Sequence, residues 1–183
     1  MTKTKILAIS GSLRSNSSAT SVLRQVATLI PEEVEFIFYE DLGSIPHFDG
    51  NEDAPMAVQK FRNLVAEADG VFICTPEYVF GVPGTLKNAF DWTASSGEFT
   101  YKPVALITAA TGGDKAHASI LLTLSALTAN VTEDATLLIS FIHSKLNEKG
   151  EVKDIATLNA IKKVIDSFIQ TIENTERVEL DKL

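Results

Sequence analysis

Three stretches of this chain, Ile6–Ile9, Val71–Cys74 and Val104–Thr108, are essentially apolar without alternation, and each runs directly into a small-residue or turn-forming loop that opens a segment of helical period. A strand with apolar side chains on both faces must be covered on both, as in a parallel sheet between helices. Two further strands complete the set. Val34–Tyr39 alternates enough to lie nearer an edge, and Thr136–Phe141 is the fifth. The intervening segments repeat apolar residues every three or four positions. They predict helices over Ala19–Ile30, Ala54–Ala68, a stretch through Leu86, Ala89, Phe90 and Thr93, Lys115–Ala129 and Asp154–Ile172, with a polar tail from Glu173 that frays. Strand and helix thus alternate five times, which predicts an α/β domain with a parallel sheet, right-handed crossovers and helices on both faces.

A length of 183 residues fits one domain spanning 1–183. The net charge of −8 argues against nucleic acid or an anionic membrane surface as the main partner, because such a field repels both. One cysteine, Cys74, excludes an internal disulfide framework and a cysteine-based zinc site, and agrees with a reducing, cytoplasmic setting. Its place in a continuous apolar strand makes it a core thiol. The apolar run after the N-terminal lysines is too short for a signal peptide, and no run approaches the roughly 18–20 residues of a membrane helix.

The loops carry the chemistry. Ser10, Ser12, Ser15, Asn16, Ser17 and Ser18 crowd hydroxyl and amide groups between the first strand and its helix, with Gly11 permitting a tight backbone. The helix start adds unpaired N–H groups and a positive dipole end, which together describe an anion site, most simply for a phosphate. Arg14 adds a planar, permanently charged fork. The simpler alternative is that the serines only cap the helix. Loop 75–84 carries Tyr78, Phe80, two glycines and two prolines, a stiff turn with a flat apolar wall suited to a planar ring or, alternatively, aromatics that plug the core. Thr111-Gly112-Gly113 forms a third small-residue loop. Ligands of such sheets bind at the strands' carboxyl ends; for strand order 2-1-3-4-5 the switch point lies between the first and third strands, where the first two loops meet. Loop 40–53 is long enough to be functional or mobile, and its His47 reads as solvated; Trp92 reads as core or subunit contact.

Neither Gly-x4-Gly-Lys-Ser/Thr nor Gly-x-Gly-x-x-Gly occurs, which disfavours triphosphate hydrolysis and a dinucleotide at the first turn and leaves a mononucleotide phosphate as the better guest. The three histidines lack metal spacing, and no Gly-x-Ser-x-Gly elbow precedes a helix.

Gly11-Ser12-Leu13-Arg14 with Ser17, Thr75-Pro76-Glu77-Tyr78, Val82-Pro83-Gly84 and Leu86-Lys87-Asn88-Ala89-x-Asp91-Trp92, taken together, resemble the NADPH-dependent FMN reductase family over nearly the whole chain. The resemblance implies a flavodoxin-like three-layer fold, non-covalent FMN, and assembly as a homodimer or homotetramer. It implies that a nicotinamide, NADPH or NADH, delivers hydride to FMN and that a quinone-like or other small acceptor takes the electrons, with no side chain as general acid or base and no metal. Ser12, Arg14 and Ser17, with Ser18 in the same loop, would hold the phosphate. Pro76, Glu77 and Tyr78, with the backbone at Val79 and Phe80, would line the isoalloxazine, and Thr111 and Gly112 would border its far side. Ile45-Pro46-x-Phe48-Asp49 resembles the family's loop beside the neighbouring subunit. Two departures stand out. Ala19 replaces the usual Asn after the phosphate serine, a loss worth roughly 1.5–3 kcal/mol for a hydrogen bond to a charged acceptor, with Thr20 as a compensating donor. Val79 replaces the Asn that usually follows Pro-Glu-Tyr. The alternative from another class is a flavodoxin-like electron carrier or a cofactor-free interaction module.

Overall fold

The structure, a computed structural model, describes residues 3–51 and 53–180. Five strands, β1 (Thr4–Ser10), β2 (Val34–Tyr39), β3 (Gly70–Thr75), β4 (Val104–Ala109) and β5 (Thr136–Ile139), form one parallel sheet in the order β2-β1-β3-β4-β5. Six helices pack around it: α1 (Ser18–Ala27), α2 (Met56–Glu67), α3 (Gly84–Thr93), α4 (Asp114–Ala126), the single turn α5 (Ile142–Lys145) and α6 (Ile155–Leu180).

The unalternating runs divide their side chains between two cores. Leu7, Ile9, Val71, Ile73 and Leu106 meet α2, α3 and α4 on one face, while Ile6, Ala8, Phe72, Cys74 and Ile107 meet α1 and α6 on the other. Every residue of β3 and β4 is buried, as a strand covered on both faces requires. Each fully buried large side chain contributes roughly 1.5–3 kcal/mol, so the sheet's interior is a rigid base for the loops above it. β2 lies at an edge, paired only with β1. Cys74 is fully buried, and burial pushes its thiol well above the usual range, which makes it inert.

Several boundaries move for local reasons. The first helix ends at Ala27 rather than Ile30, because Pro31 disfavours helical backbone at the residue before it. The α4 helix stops at Ala126, just before Thr128 adopts φ 55°. The last strand ends at Ile139, and Phe141 turns the chain at φ 55° into α5, an element that periodicity over four residues could not announce. The last helix runs on to Leu180 instead of fraying from Glu173; neither Gly nor Pro occurs after Gly150, so nothing in the backbone stops it.

The long loop after β2 is pinned. Asn88 accepts from the Phe48 N–H at 2.8 Å and donates to the Pro46 carbonyl at 2.9 Å, and the indole N–H of Trp92 donates to the same carbonyl at 2.7 Å. Trp92 is therefore a core residue holding a loop, with Phe48 edge-on to its ring. Ile45 is tucked in, and His47 is exposed as expected for a loop histidine. Among the described residues, no helix is long and apolar enough to cross a membrane.

Candidate functional site

Register brings the loops level at the carboxyl edge of the sheet. Ser10 pairs with Cys74, and Thr75 with Thr108. Gly11 donates its N–H to the Cys74 carbonyl at 2.8 Å, and a Cβ there would sit 2.3 Å from Thr75 Oγ1. Only glycine allows the first loop to turn this close to β3.

Between these loops lies a cleft of about 140 Å³, open to solvent. Arg14, Ser17 and Ser18 line one side, Pro76, Glu77 and Tyr78 the second, and Thr111 the third. Ser12 joins the first two sides, its hydroxyl 3.0 Å from that of Tyr78. Of the eleven residues singled out from the sequence, seven line the cleft and Ser12 touches it through Tyr78. Gly112 lies beside Thr111 with its carbonyl accepting from Ser140 at 2.9 Å. Val79 and Phe80 project at the rim, 99% and 79% exposed, and Tyr78 is itself 43% exposed, so the alternative in which the aromatics Tyr78 and Phe80 plug the core does not hold.

Ser17 has a definite structural duty. It is the N-cap of α1, its Oγ accepting from the Thr20 N–H at 3.1 Å, while its carbonyl accepts from Ser21. This leaves the N–H groups of Ser18 and Ala19, which a helix start cannot pair internally, as donors at the cleft. The Ala19 side chain is fully buried in the core beneath the sheet, so that departure from the family pattern faces the interior rather than the cleft. Thr20 is not a spare donor either. Its hydroxyl lies 2.9 Å from that of Ser10 and 2.8 Å from that of Ser17, inside the loop's own network.

Glu77 has a structural duty besides lining the cleft. Its carboxylate accepts from the backbone N–H groups of Gly113 (3.1 Å), Lys115 (3.1 Å) and Ala116 (3.0 Å), at the start of α4. It is a strut between the second and third loops and a charge at a helix N-terminus. Gly113 makes the strut possible: φ is 102°, and a Cβ would meet Leu138 at 2.7 Å.

Tyr78 and Gly81 exchange backbone hydrogen bonds of 3.0 and 2.9 Å across a two-residue turn, with φ of 50° at Val79 and 58° at Phe80. This is the primed type of tight turn, which prefers Asn and Gly. A β-branched residue at positive φ is strained. Positive φ at the two central residues accompanies the display of Val79 and Phe80 as an apolar rim beside Tyr78.

His143 was not singled out from the sequence. It lines the cleft from α5, with Nδ1 3.4 Å from Ser18 Oγ. Its only signal is its position just beyond the last strand. Among the described residues, no three of His, Cys, Asp and Glu gather as a metal site.

The cleft's chemistry matches FMN in kind. Backbone N–H groups, hydroxyls and an unpaired guanidinium stand at one end, as a phosphate needs, and a tyrosine with an apolar rim stands at the other, as a flat ring needs.

An NAD(P)H-dependent FMN reductase of Pseudomonas aeruginosa is 39% identical over 115 residues, 59% of this chain and 60% of that enzyme, so the match spans less than two thirds of that relative's length. An NADPH azoreductase of Bacillus sp. is 35% identical over 152 residues, 80% of this chain and 83% of the relative. The solved flavoenzyme NAD(P)H:acceptor oxidoreductase of Paracoccus denitrificans superposes with a TM-score of 0.82 at 25% identity, covering 93% of this chain and 98% of that one. The profile of the NADPH-dependent FMN reductases matches residues 4–144, and the chain belongs to that family.

Proposed function

We propose that the chain is an FMN-dependent NAD(P)H oxidoreductase that passes electrons from a nicotinamide to a quinone-like or other small acceptor. The observation that carries this reading is the meeting of the Arg14 loop and the Tyr78 turn at one cleft, bridged by the Ser12–Tyr78 contact. Bound FMN supplies the hydride-accepting and electron-donating chemistry, and the protein supplies position and electrostatics.

Each residue then has a physical task. Arg14 and the N–H groups of Ser18 and Ala19 neutralise the phosphate, with the positive end of α1 behind them. Ser12 orients the Tyr78 hydroxyl, so the loop for the phosphate and the wall for the ring move as one. Glu77 fixes Thr111 and Gly112 opposite that wall through the start of α4. Val79 and Phe80 leave an apolar lip beside the solvent-open cleft, past which a nicotinamide and then an acceptor would enter in turn.

The reading as a cofactor-free module draws on Ala19 and Val79. Ala19 lies in the core, and Val79 stands clear of the cleft. We also assign a homodimer or homotetramer, supported by the exposed apolar side chains of Phe48, Val79, Phe80 and Phe141, a cytoplasmic setting, supported by the single cysteine, and the absence of nucleic-acid partners, supported by the net charge of −8.

Anaerobic addition of NADPH to FMN-loaded protein tests the function. Bleaching of the flavin, followed by recolouring with a benzoquinone, is the expected result. Stoichiometric FMN without bleaching by NADPH or NADH would assign an electron carrier instead.

A further inference from the structure

The flavin reading gives no duty to the segment after β5. There the Ser140 hydroxyl donates to the Gly112 carbonyl at 2.9 Å, and the N–H groups of Phe141 and Ile142 donate to the carbonyls of Thr111 (3.0 Å) and Ala110 (3.1 Å). Ile142 is fully buried, so the start of α5 is fastened to the third loop by hydrogen bonds and an apolar plug together. His143 comes next in the chain. It is exposed, and it lines the cleft beside Ser18.

Its imidazole is held in place but hardly engaged. Nδ1 lies 3.4 Å from Ser18 Oγ, a long contact, and Nε2 has no hydrogen-bond partner among the described residues. No carboxylate pairs with this ring or with Arg14. The four ion pairs among the described residues are Lys60–Asp41, Arg62–Glu98, Lys87–Asp91 and Lys115–Asp114, although acidic residues outnumber basic ones 24 to 16. The charged and titratable groups that line the cleft with His143 are Arg14 from the first loop and Glu77 and Tyr78 from the second; the third loop adds only alanine and Thr111. The Glu77 carboxylate is already taken by three backbone N–H groups. Lys145, on the same turn as His143, is directed instead to Thr157 Oγ1 at 3.2 Å.

Charge decides what this ring can do. A phosphomonoester carries roughly 1.5 to 2 negative charges near pH 7. Arg14 supplies one positive charge and the start of α1 about half of one, whereas Glu77 returns a negative charge to the same cleft. The lining therefore falls short of a dianion unless His143 is charged as well. We infer that His143 is the second cation of the phosphate site: as the FMN phosphate binds, the imidazole takes up a proton from the buffer and donates a charge-assisted hydrogen bond to a phosphate oxygen. An anion at this distance favours the charged ring, and histidine is the side chain that gains such a charge on binding and gives it up on release. The inference rests on the flavin reading and deepens it, since it adds a binding residue, from a segment far along the chain, to the Arg14 loop.

Calorimetric titration of the flavin-free protein at about pH 7.5, in phosphate-free buffers of different ionisation enthalpy, counts the protons taken up on binding. FMN and riboflavin are the two ligands, the second offering the same ring without the phosphate. Wild type should take up part of a proton with FMN and none with riboflavin. His143→Gln should lose that uptake and weaken FMN about 10-fold, the effect of one charge-assisted contact, while riboflavin affinity stays constant. His143→Lys, which carries its charge beforehand, should recover most of the FMN affinity without the uptake. An FMN heat that does not vary with the buffer, uptake that survives in His143→Gln, unchanged FMN affinity in that variant, or equal weakening of both flavins, the mark of a merely structural role, would each overturn the inference. Flavin bleached by NADPH in a protein whose FMN binding takes up no proton overturns it alone. His143-dependent uptake with FMN, in a protein that neither NADPH nor NADH bleaches, upholds it and overturns the reductase reading. A protein that binds neither flavin overturns both.

Discussion

The loops after β1 and β3 face each other across one cleft and are built on opposite principles. The first is polar and satisfied within itself: Ser10, Ser17 and Thr20 form a hydroxyl cluster, and Ser17 caps α1. Its backbone is relaxed, and only Gly11 is sterically compelled. The second is apolar at its tip and strained, with Val79 and Phe80 both at positive φ, and it is tied down from outside by the Glu77 carboxylate on α4. The first loop offers donors already fixed in place, whereas the second displays its apolar tip at a conformational cost that the Glu77 anchor offsets.

The two loops should therefore respond differently to substitution. The largest effect is expected from Glu77→Ala, which deprives three N–H groups at the α4 start of their acceptor; about 2–3 kcal/mol of stability should be lost, measured by urea unfolding, together with weaker FMN binding. Glu77→Gln should lose less, because one amide oxygen still accepts. Arg14→Ala should leave stability within about 0.5 kcal/mol and instead weaken FMN roughly 10- to 100-fold in a fluorescence titration, the scale of a charge-assisted contact to phosphate. Equal losses of stability in both variants would break the comparison. Val79→Asn should stabilise the fold by about 1 kcal/mol, because Asn tolerates left-handed backbone where Val is strained. Ser17→Ala, removing the cap, should cost about 1 kcal/mol.

The smallest effect belongs to neither loop. His117 lies in α4 with Nδ1 2.9 Å from Thr108 Oγ1, and burial holds its imidazole below the ordinary 6.5. The unfolded chain therefore takes up a proton first as pH falls through 6.5, and stability declines until the folded imidazole also titrates. The denaturation midpoint should be lower at pH 5.5 than at pH 7.5, and His117→Gln should flatten that dependence.

The same contrast marks what the sequence discloses. Period and apolar runs are local, and they carry the five strands, their parallel pairing and the buried Cys74 directly. The Ser17 cap is equally legible, because a helix cap is written in adjacent residues. Glu77 is not, since its partners lie 36 to 39 positions away. Nor are Asn88 and Trp92, whose grip on the Pro46 loop spans 42 and 46 positions. Ala19 shows the complementary difficulty: read in line with its neighbours it belongs to the phosphate loop, and only the helix rotation turns it into the core. The φ values at Val79 and Phe80 contradict local preference, and such contradictions collect at binding sites because tertiary contacts impose them.

In the function we propose, the loop around Arg14 grips a phosphate while the turn around Tyr78 holds the ring. Equilibrium titration of flavin-free protein with FMN and with riboflavin, which carries the same ring without the phosphate, tests it most directly. FMN should bind at least about 100-fold more tightly, with Arg14→Ala removing most of that difference while riboflavin affinity stays constant. Equal affinity for the two flavins, or a difference that survives Arg14→Ala intact, would contradict it.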